Sequence, residues 1–258
     1  MGSAFYEPLG DGLFSSTEHT AGPWSADSQH LGPPSALLTR AWEQLPAAAP
    51  MSIARVTIEI LGPVPLAELA VSASVERAGR SVELLAGEIT AGSRTVVRGR
   101  AWRILRSDSA PVAAGVGDPL APPETGRPVG RPDGWGTGYV DAMEWRALRG
   151  GFGEPGPAIV WGRQGVGLVA GEEPTGLQRL LTVADSGNGV SNRLDPNEWW
   201  LINTELTVHV HREPEGEWIG LDANTIIGPH GVGTALTTLH DTRGPVGAGA
   251  QALLVRPR

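Results

Sequence analysis

The 258 residues include no cysteine and no lysine. Without thiols there is no disulfide, no thiolate nucleophile and no Cys-based metal site. All 20 basic residues are therefore Arg, set against 28 acids for a formal net charge of -8. That balance lacks the basic footprint of a general nucleic-acid binder. No apolar run approaches the ~18 residues that span a bilayer. The N-terminus MGSAFYEPLGDG has no basic region leading into an apolar one, so no secretory leader is read there. The expectation is a cytoplasmic protein that contacts neither nucleic acid nor membrane.

Several chemical signatures are also missing. The Gly-rich stretches AGVGDP and GPHGVG lack the Lys and the strand–loop–helix setting of a phosphate loop. Ser186, in Asp-Ser-Gly-Asn-Gly, does not form a Gly-x-Ser-x-Gly elbow. His209 and His211 share a strand face, but no carboxylate–His spacing completes a metal site. No metal and no cofactor are expected.

What the sequence does contain is a repeat. After a polar, irregular stretch over 1–32, PPSALLTRAWEQL puts Leu38, Ala41, Trp42 and Leu45 on one helical stripe. Pro33 and Pro34 suit a helix start and Pro46 stops it. Strand-like runs follow, with Val56, Ile58 and Ile60 alternating against Arg55, Thr57 and Glu59, then 69–77, 81–90 and 94–106. The Arg-rich part, Arg77 to Arg106, reads as a solvated strand face or, as the less favoured reading, a local contact for anionic phosphates. Residues 107–136 are rich in Pro, Gly and Ala and read as a linker.

The pattern then recurs. Leu177, Leu180, Leu181 and Ala184 repeat the helical stripe 139 positions later, and Gly187 suits its stop. The strands recur at a constant offset of 150, Leu206-Thr207-Val208 on Val56-Thr57-Ile58 and Leu254-Val255-Arg256 on Ile104-Leu105-Arg106. Residues 139–146 and 158–163 are expected to add strands to the second copy. One helix and four or five long antiparallel strands bury the helix only if the sheet curls around it. The reading is α+β: a double hotdog of two tandem repeats, 1–106 and 137–258, each a central helix wrapped by a curved sheet. The copies join edge to edge, removing exposed edges.

The stretches QHLGPPSALLTRA, RVTIEILGPVP, NTELTVHVHREPEGEWIGLDANTIIGPHGVG and GPVGAGAQALLVR together resemble acyl-CoA thioesterases of the thioesterase II type, actinobacterial branch. The resemblance covers nearly the whole chain apart from the linker. It implies hydrolysis of acyl-CoA to fatty acid and CoA, a place in fatty acid metabolism, no cofactor, and pairing of double hotdogs into a homo-oligomer. It also implies a working site in the second copy made of Asp, Ser or Thr, and Gln. Carried over, these are Glu205, Thr225 and Gln251, with Glu replacing Asp.

Subtracting 150 places Arg55, Val75 and Ala101 where that trio stands, so only one copy offers carboxylate, hydroxyl and amide. A carboxylate can take a proton from water or attack the thioester, and the other two can fix the water. Gln251 between Ala250 and Ala252 is a polar amide in an apolar strand, and such a group needs partners. His30-Leu31-Gly32, before the first helix, is expected to bind substrate near that helix's backbone N–H groups, Gly32 allowing close approach. The start of the second helix, near 174–176, could serve instead. Asp185 reads either as a helix-end acid or as a pocket carboxylate binding substrate. A non-catalytic acyl-binding protein is the alternative, motivated by Glu205. A hotdog dehydratase would want a His on the second helix, which has none.

Overall fold

The computed structural model describes residues 3–23 and 25–258. Chain order begins with a hairpin, β1 (Ala4–Gly10) and β2 (Leu13–Ser16), and a small ribbon, β3 (Ala21–Gly22) and β4 (Ser25–Gln29). Helix α1 (Gly32–Glu43) precedes four long strands, β5 (Met51–Ile60), β6 (Glu68–Arg77), β7 (Val82–Ala91) and β8 (Arg94–Leu105). Then come β9 (Arg127–Val129), β10 (Met143–Gly151), β11 (Glu154–Gln164), β12 (Gly167–Val169), which crosses back to pair with β1 of the first lobe, α2 (Gly176–Ala184) and α3 (Gly187–Val190). The second lobe closes with β13 (Trp199–Asn203), β14 (Glu205–Val210), β15 (Ile219–Ile227), β16 (Val232–Asp241) and β17 (Gly244–Pro257).

Fifteen strands form one sheet, in the order β12-β1-β2-β6-β7-β8-β5-β14-β17-β16-β15-β11-β10-β9, with β13 also on β17. The two lobes meet where β5 pairs with β14, Thr57 opposite Thr207. The fold is the double hotdog. Each helix is buried on its stripe: Leu38 and Trp42 in α1, Leu180 and Leu181 in α2, all fully inaccessible. Trp42 sits against strand residues without side chains. A Cβ on Gly87 would lie 2.9 Å from its Nε1, and one on Gly99 2.8 Å from its ring.

The N-terminal stretch, expected to be irregular, instead supplies β1 and β2. Their signal is hidden because β1 buries its first three residues and exposes the rest, without alternation, and β2 is only four residues long. β2 pairs with β6 as β11 pairs with β15, so the strands added by 139–164 have counterparts in the first lobe. Residues 107–136 lie across the second lobe, where Trp161 Nε1 donates to the Ala121 carbonyl at 2.9 Å. On the Arg-rich strand face Arg100 pairs with Glu76 and Arg98 with Glu88, whereas Arg103 departs from that expectation, turning inward to a buried pair with Glu83. No helix among the described residues is long and apolar enough to cross a membrane.

The helices run antiparallel against each other. A Cβ on Gly32, the first residue of α1, would lie 2.1 Å from the Thr182 carbonyl near the end of α2. At the other end, Glu43 closes α1 and accepts from Thr175 Oγ1 and Gln178 Nε2 at the start of α2.

Candidate active site

Each copy carries a β-bulge at the same place. In the first lobe the β5–β8 register shifts between Ile53 and Arg55. In the second, Asn203 faces Leu253 through β13 while Thr207 faces Ala250 through β14. One residue is gained between those pairs, and a one-residue slip turns every later side chain to the opposite face. Asn203 therefore points inward with Leu253, and Leu206 and Val208 are buried, while Glu205 turns outward.

This disperses the expected trio. Glu205 is on the outer face, where Oε1 accepts from the Ala252 backbone N–H at 2.7 Å and Oε2 from Thr207 at 2.9 Å. Gln251 is on the inner face, 2 % exposed. Thr225 shares that inner face, but Ala235 stands between it and Gln251 in the cross-strand row. Its hydroxyl lies 2.8 Å from Ser191 Oγ, and Ser191 in turn donates to the Gly187 carbonyl, so Thr225 anchors α3.

A different carboxylate meets Gln251. Asp185 caps the C-terminus of α2 and is 4 % exposed. Its Oδ1 accepts from Asn203 Nδ2 at 2.7 Å and from Gln251 Nε2 at 3.2 Å. Gln251 Nε2 also reaches the Asp185 carbonyl at 3.1 Å, and its Oε1 accepts from the Asn188 N–H at 3.0 Å. As a buried amide must, Gln251 has partners at both ends. From the other lobe, His30 Nδ1 lies 3.3 Å from Asp185 Oδ2 and accepts from the Gly32 N–H at 3.1 Å. The cluster thus joins residues from both lobes.

Burial raises the pKa of Asp185, against the lowering pull of His30, Asn203, the Leu31 backbone N–H and Gln251. Burial likewise lowers the pKa of His30, with Asp185 opposing it. The imidazole is locked in place by Tyr139, whose ring stacks on it at 3.8 Å between centroids and 5° between planes. Tyr139 itself donates to the Thr182 carbonyl at 2.8 Å, and its OH lies 3.0 Å from Ser186 Oγ.

Gly32 has a packing reason to be glycine, because any side chain would strike Thr182. Its N–H is spent on His30, and Pro33 and Pro34 have none. The start of α1 therefore offers a substrate little, in contrast to the expectation for Gly32. Donors near the site come from side chains instead. Asn188 lines a narrow cleft of about 20 Å³, room for a single water, whose outer wall includes Trp199, Ile202 and Arg258. Asn203 and Asn188 were missed in the sequence. The repeat could have flagged Asn203, since its counterpart 150 positions earlier is the apolar Ile53. No group of His, Asp and Glu among the described residues has the arrangement of a metal site.

This arrangement can activate water. A buried carboxylate with a raised pKa, fixed by two amides and a histidine, can accept a proton and return it.

Comparison with known proteins places the chain. Residues 20–104 match the family model described as acyl-CoA thioesterase N-terminal domain, and residues 123–255 match that of the acyl-CoA thioesterase C-terminal domain. No curated protein sequence matches it. Among solved structures, a conserved protein of unknown function with hot dog fold from Alicyclobacillus acidocaldarius superposes with TM-score 0.74 at 16 % identity, covering 97 % of this chain and 95 % of that one. A protein provisionally described as a thioesterase from Novosphingobium aromaticivorans gives 0.72 at 18 %, covering 97 % and 98 %. Acyl-CoA thioesterase II TesB2 from Mycobacterium marinum gives 0.68 at 13 %, covering 98 % and 95 %. At such identities these structures speak for the fold, and the family models for the family.

Proposed function

The chain belongs to the acyl-CoA thioesterase family and hydrolyses acyl-CoA thioesters, and from that premise we propose that Asp185 is the base of the reaction. The observation that carries this is the convergence of His30, Asn203 and Gln251 on one buried carboxylate. In the proposed reaction Asp185 takes a proton from water as the water oxygen attacks the thioester carbonyl carbon. The tetrahedral intermediate then expels the CoA thiolate, which recovers the proton from Asp185, leaving fatty acid and free thiol. Asn203 and Gln251 hold the carboxylate in line, and the His30 ring packs against its other oxygen. Asn188, on both the cleft and Gln251, is placed to donate to the carbonyl oxygen as it becomes negative.

Glu205, Thr225 and Gly32 take supporting parts in this proposal: strand tie, α3 anchor and helix-packing point. The Glu205 that motivated a non-catalytic alternative lies outside the cluster, and the site has its Asp. The test is thiol release from acyl-CoAs of graded chain length by the wild type and by Asp185→Asn and Gln251→Ala.

Three further points belong to the same reading. The enzyme works in cytoplasmic fatty acid metabolism, where acyl-CoA is supplied. The lobes are 1–106 and 137–258, and the bridge 107–136 between them adds β9 to the edge of the second lobe's sheet. The chain self-associates through the outer face of the second lobe, where Ile202, Leu254 and Val232 form an exposed apolar ladder across β13, β17 and β16. Sedimentation of Val232→Glu beside the wild type tests this last point; an unchanged mass removes that face from the interface.

A further inference from the structure

The antiparallel helix pair has two ends, and only one carries Asp185. At the other end, α1 finishes against the start of α2 beside a cavity of about 650 Å³. This is the first lobe's counterpart of the site. Ile53, Arg103 and Leu105 line it, and these stand 150 positions before Asn203, Leu253 and Val255. The two places are separated by the length of α1, roughly 18 Å for a 12-residue helix.

The hydrolytic groups are gone here. Ile53 replaces Asn203, and Ala101 replaces Gln251. Glu43, which ends α1 here, is turned onto Thr175 and Gln178, at 2.9 and 2.6 Å. What remains is volume, in the ordinary range for small-molecule sites, about 300–1,000 Å³. Its lining is mixed, an apolar part with Leu45, Met51, Leu105, Leu177 and Val210 beside a polar rim that includes Ser52, Arg106 and Glu213.

The cations along it are not equivalent. Arg103 is buried, paired with Glu83 and donating to the Leu45 and Pro46 carbonyls. Arg212 is held bidentately by Asp241. Arg106 differs: it donates to Ser52 Oγ and pairs with Glu213, both charged side chains being more than half exposed. An exposed ion pair contributes little, so a ligand carboxylate can take the place of Glu213 at small cost.

We infer that this cavity is a second, non-hydrolytic site for a free fatty acid, its chain on the apolar lining and its carboxylate on Arg106. The ligand is of the class that thioester hydrolysis releases, so the site lets the protein hold its own product. Only that last link rests on the reading of Asp185; binding itself does not.

Calorimetric titration of the full chain with decanoate tests it. Binding is expected in the wild type and in Asp185→Asn. It is expected to weaken at least tenfold in Ala54→Trp, which fills the cavity, and about fivefold in Arg106→Ala, with thiol release from decanoyl-CoA unchanged in Arg106→Ala. Should Ala54→Trp not fold, Ala47→Trp on the exposed loop after α1 fills the same cavity. Photolabelling of the wild type by a diazirine-bearing fatty acid gives an independent readout, expected on the peptide containing Met51–Ala54. No decanoate binding, binding indifferent to both Trp variants, or labelling confined to 188–202 would each overturn the proposal. Loss of binding in Asp185→Asn alone would also do so, while loss of hydrolysis there with binding kept leaves both readings standing.

Discussion

Thr57 and Thr207 are 150 residues apart in sequence, and their hydroxyls lie 3.3 Å apart across the β5–β14 pair. Each is the other's counterpart in the repeat, so the approximate twofold relating the lobes passes between them. The central sheet junction is thus self-complementary. The sequence offset and the strand register are one fact seen twice.

The junction gives the first prediction. Thr57→Glu combined with Thr207→Glu sets like charges directly opposite and should destabilise by more than the two single changes added. Thr57→Arg with Thr207→Glu should recover the loss. Denaturant midpoints for the cycle check this; strict additivity would mean the residues do not face each other.

Gly32→Ala should cost about 1–3 kcal/mol by overpacking, because its Cβ would meet the Thr182 carbonyl. Gly130→Ala, where a Cβ meets nothing within 4 Å and φ is ordinary, should be near neutral. Thermal unfolding of the two variants side by side gives the comparison.

The cluster also sets a pH dependence. Asp185 has a folded pKa raised by burial, so the folded state holds a proton the unfolded chain has released. Stability from this group is full below the unfolded value of about 3.9 and is lost as pH rises through the folded pKa. Asp185→Asn should therefore be more stable than the wild type at neutral pH, with the difference vanishing in acid. His30 acts in the opposite sense: its folded pKa is lowered, so stability falls as pH drops below about 6.5. The acid limb of kcat/KM should lie above the ordinary carboxylate range, since the base must be ionised.

Gln251→Ala should leave the Asn188 N–H without its acceptor and Asp185 with one donor fewer, costing about 1–3 kcal/mol. Thiol release should fall with it. Thr225→Val removes only the anchor to Ser191, so its activity should stay far closer to wild type.

Much of this was legible beforehand. The helical stripes of Leu38–Trp42 and Leu177–Leu181 and the constant strand offset reveal the duplication, because burial imposes periodicity on text. Gln251 stood out for the same reason, an amide where its neighbours are apolar. Glu205 was carried over from the family resemblance as the acid at the start of its strand, and the bulge at Thr204, which no local pattern records, turns it to the outer face. Asp185 was legible as a helix-end acid or a pocket carboxylate, without its partners. Its meeting with His30 depends on antiparallel packing of α1 and α2, which no local pattern records.

The most direct measurement is thiol release from one acyl-CoA by Asp185→Asn and Glu205→Gln, assayed beside the wild type. Loss of the proposed base should lower kcat by about 10²–10⁴-fold, whereas Glu205→Gln, on the opposite face of the sheet, should stay within about threefold, less than 1 kcal/mol of barrier. The reverse result, Glu205→Gln inactive and Asp185→Asn active, would contradict the assignment of the site.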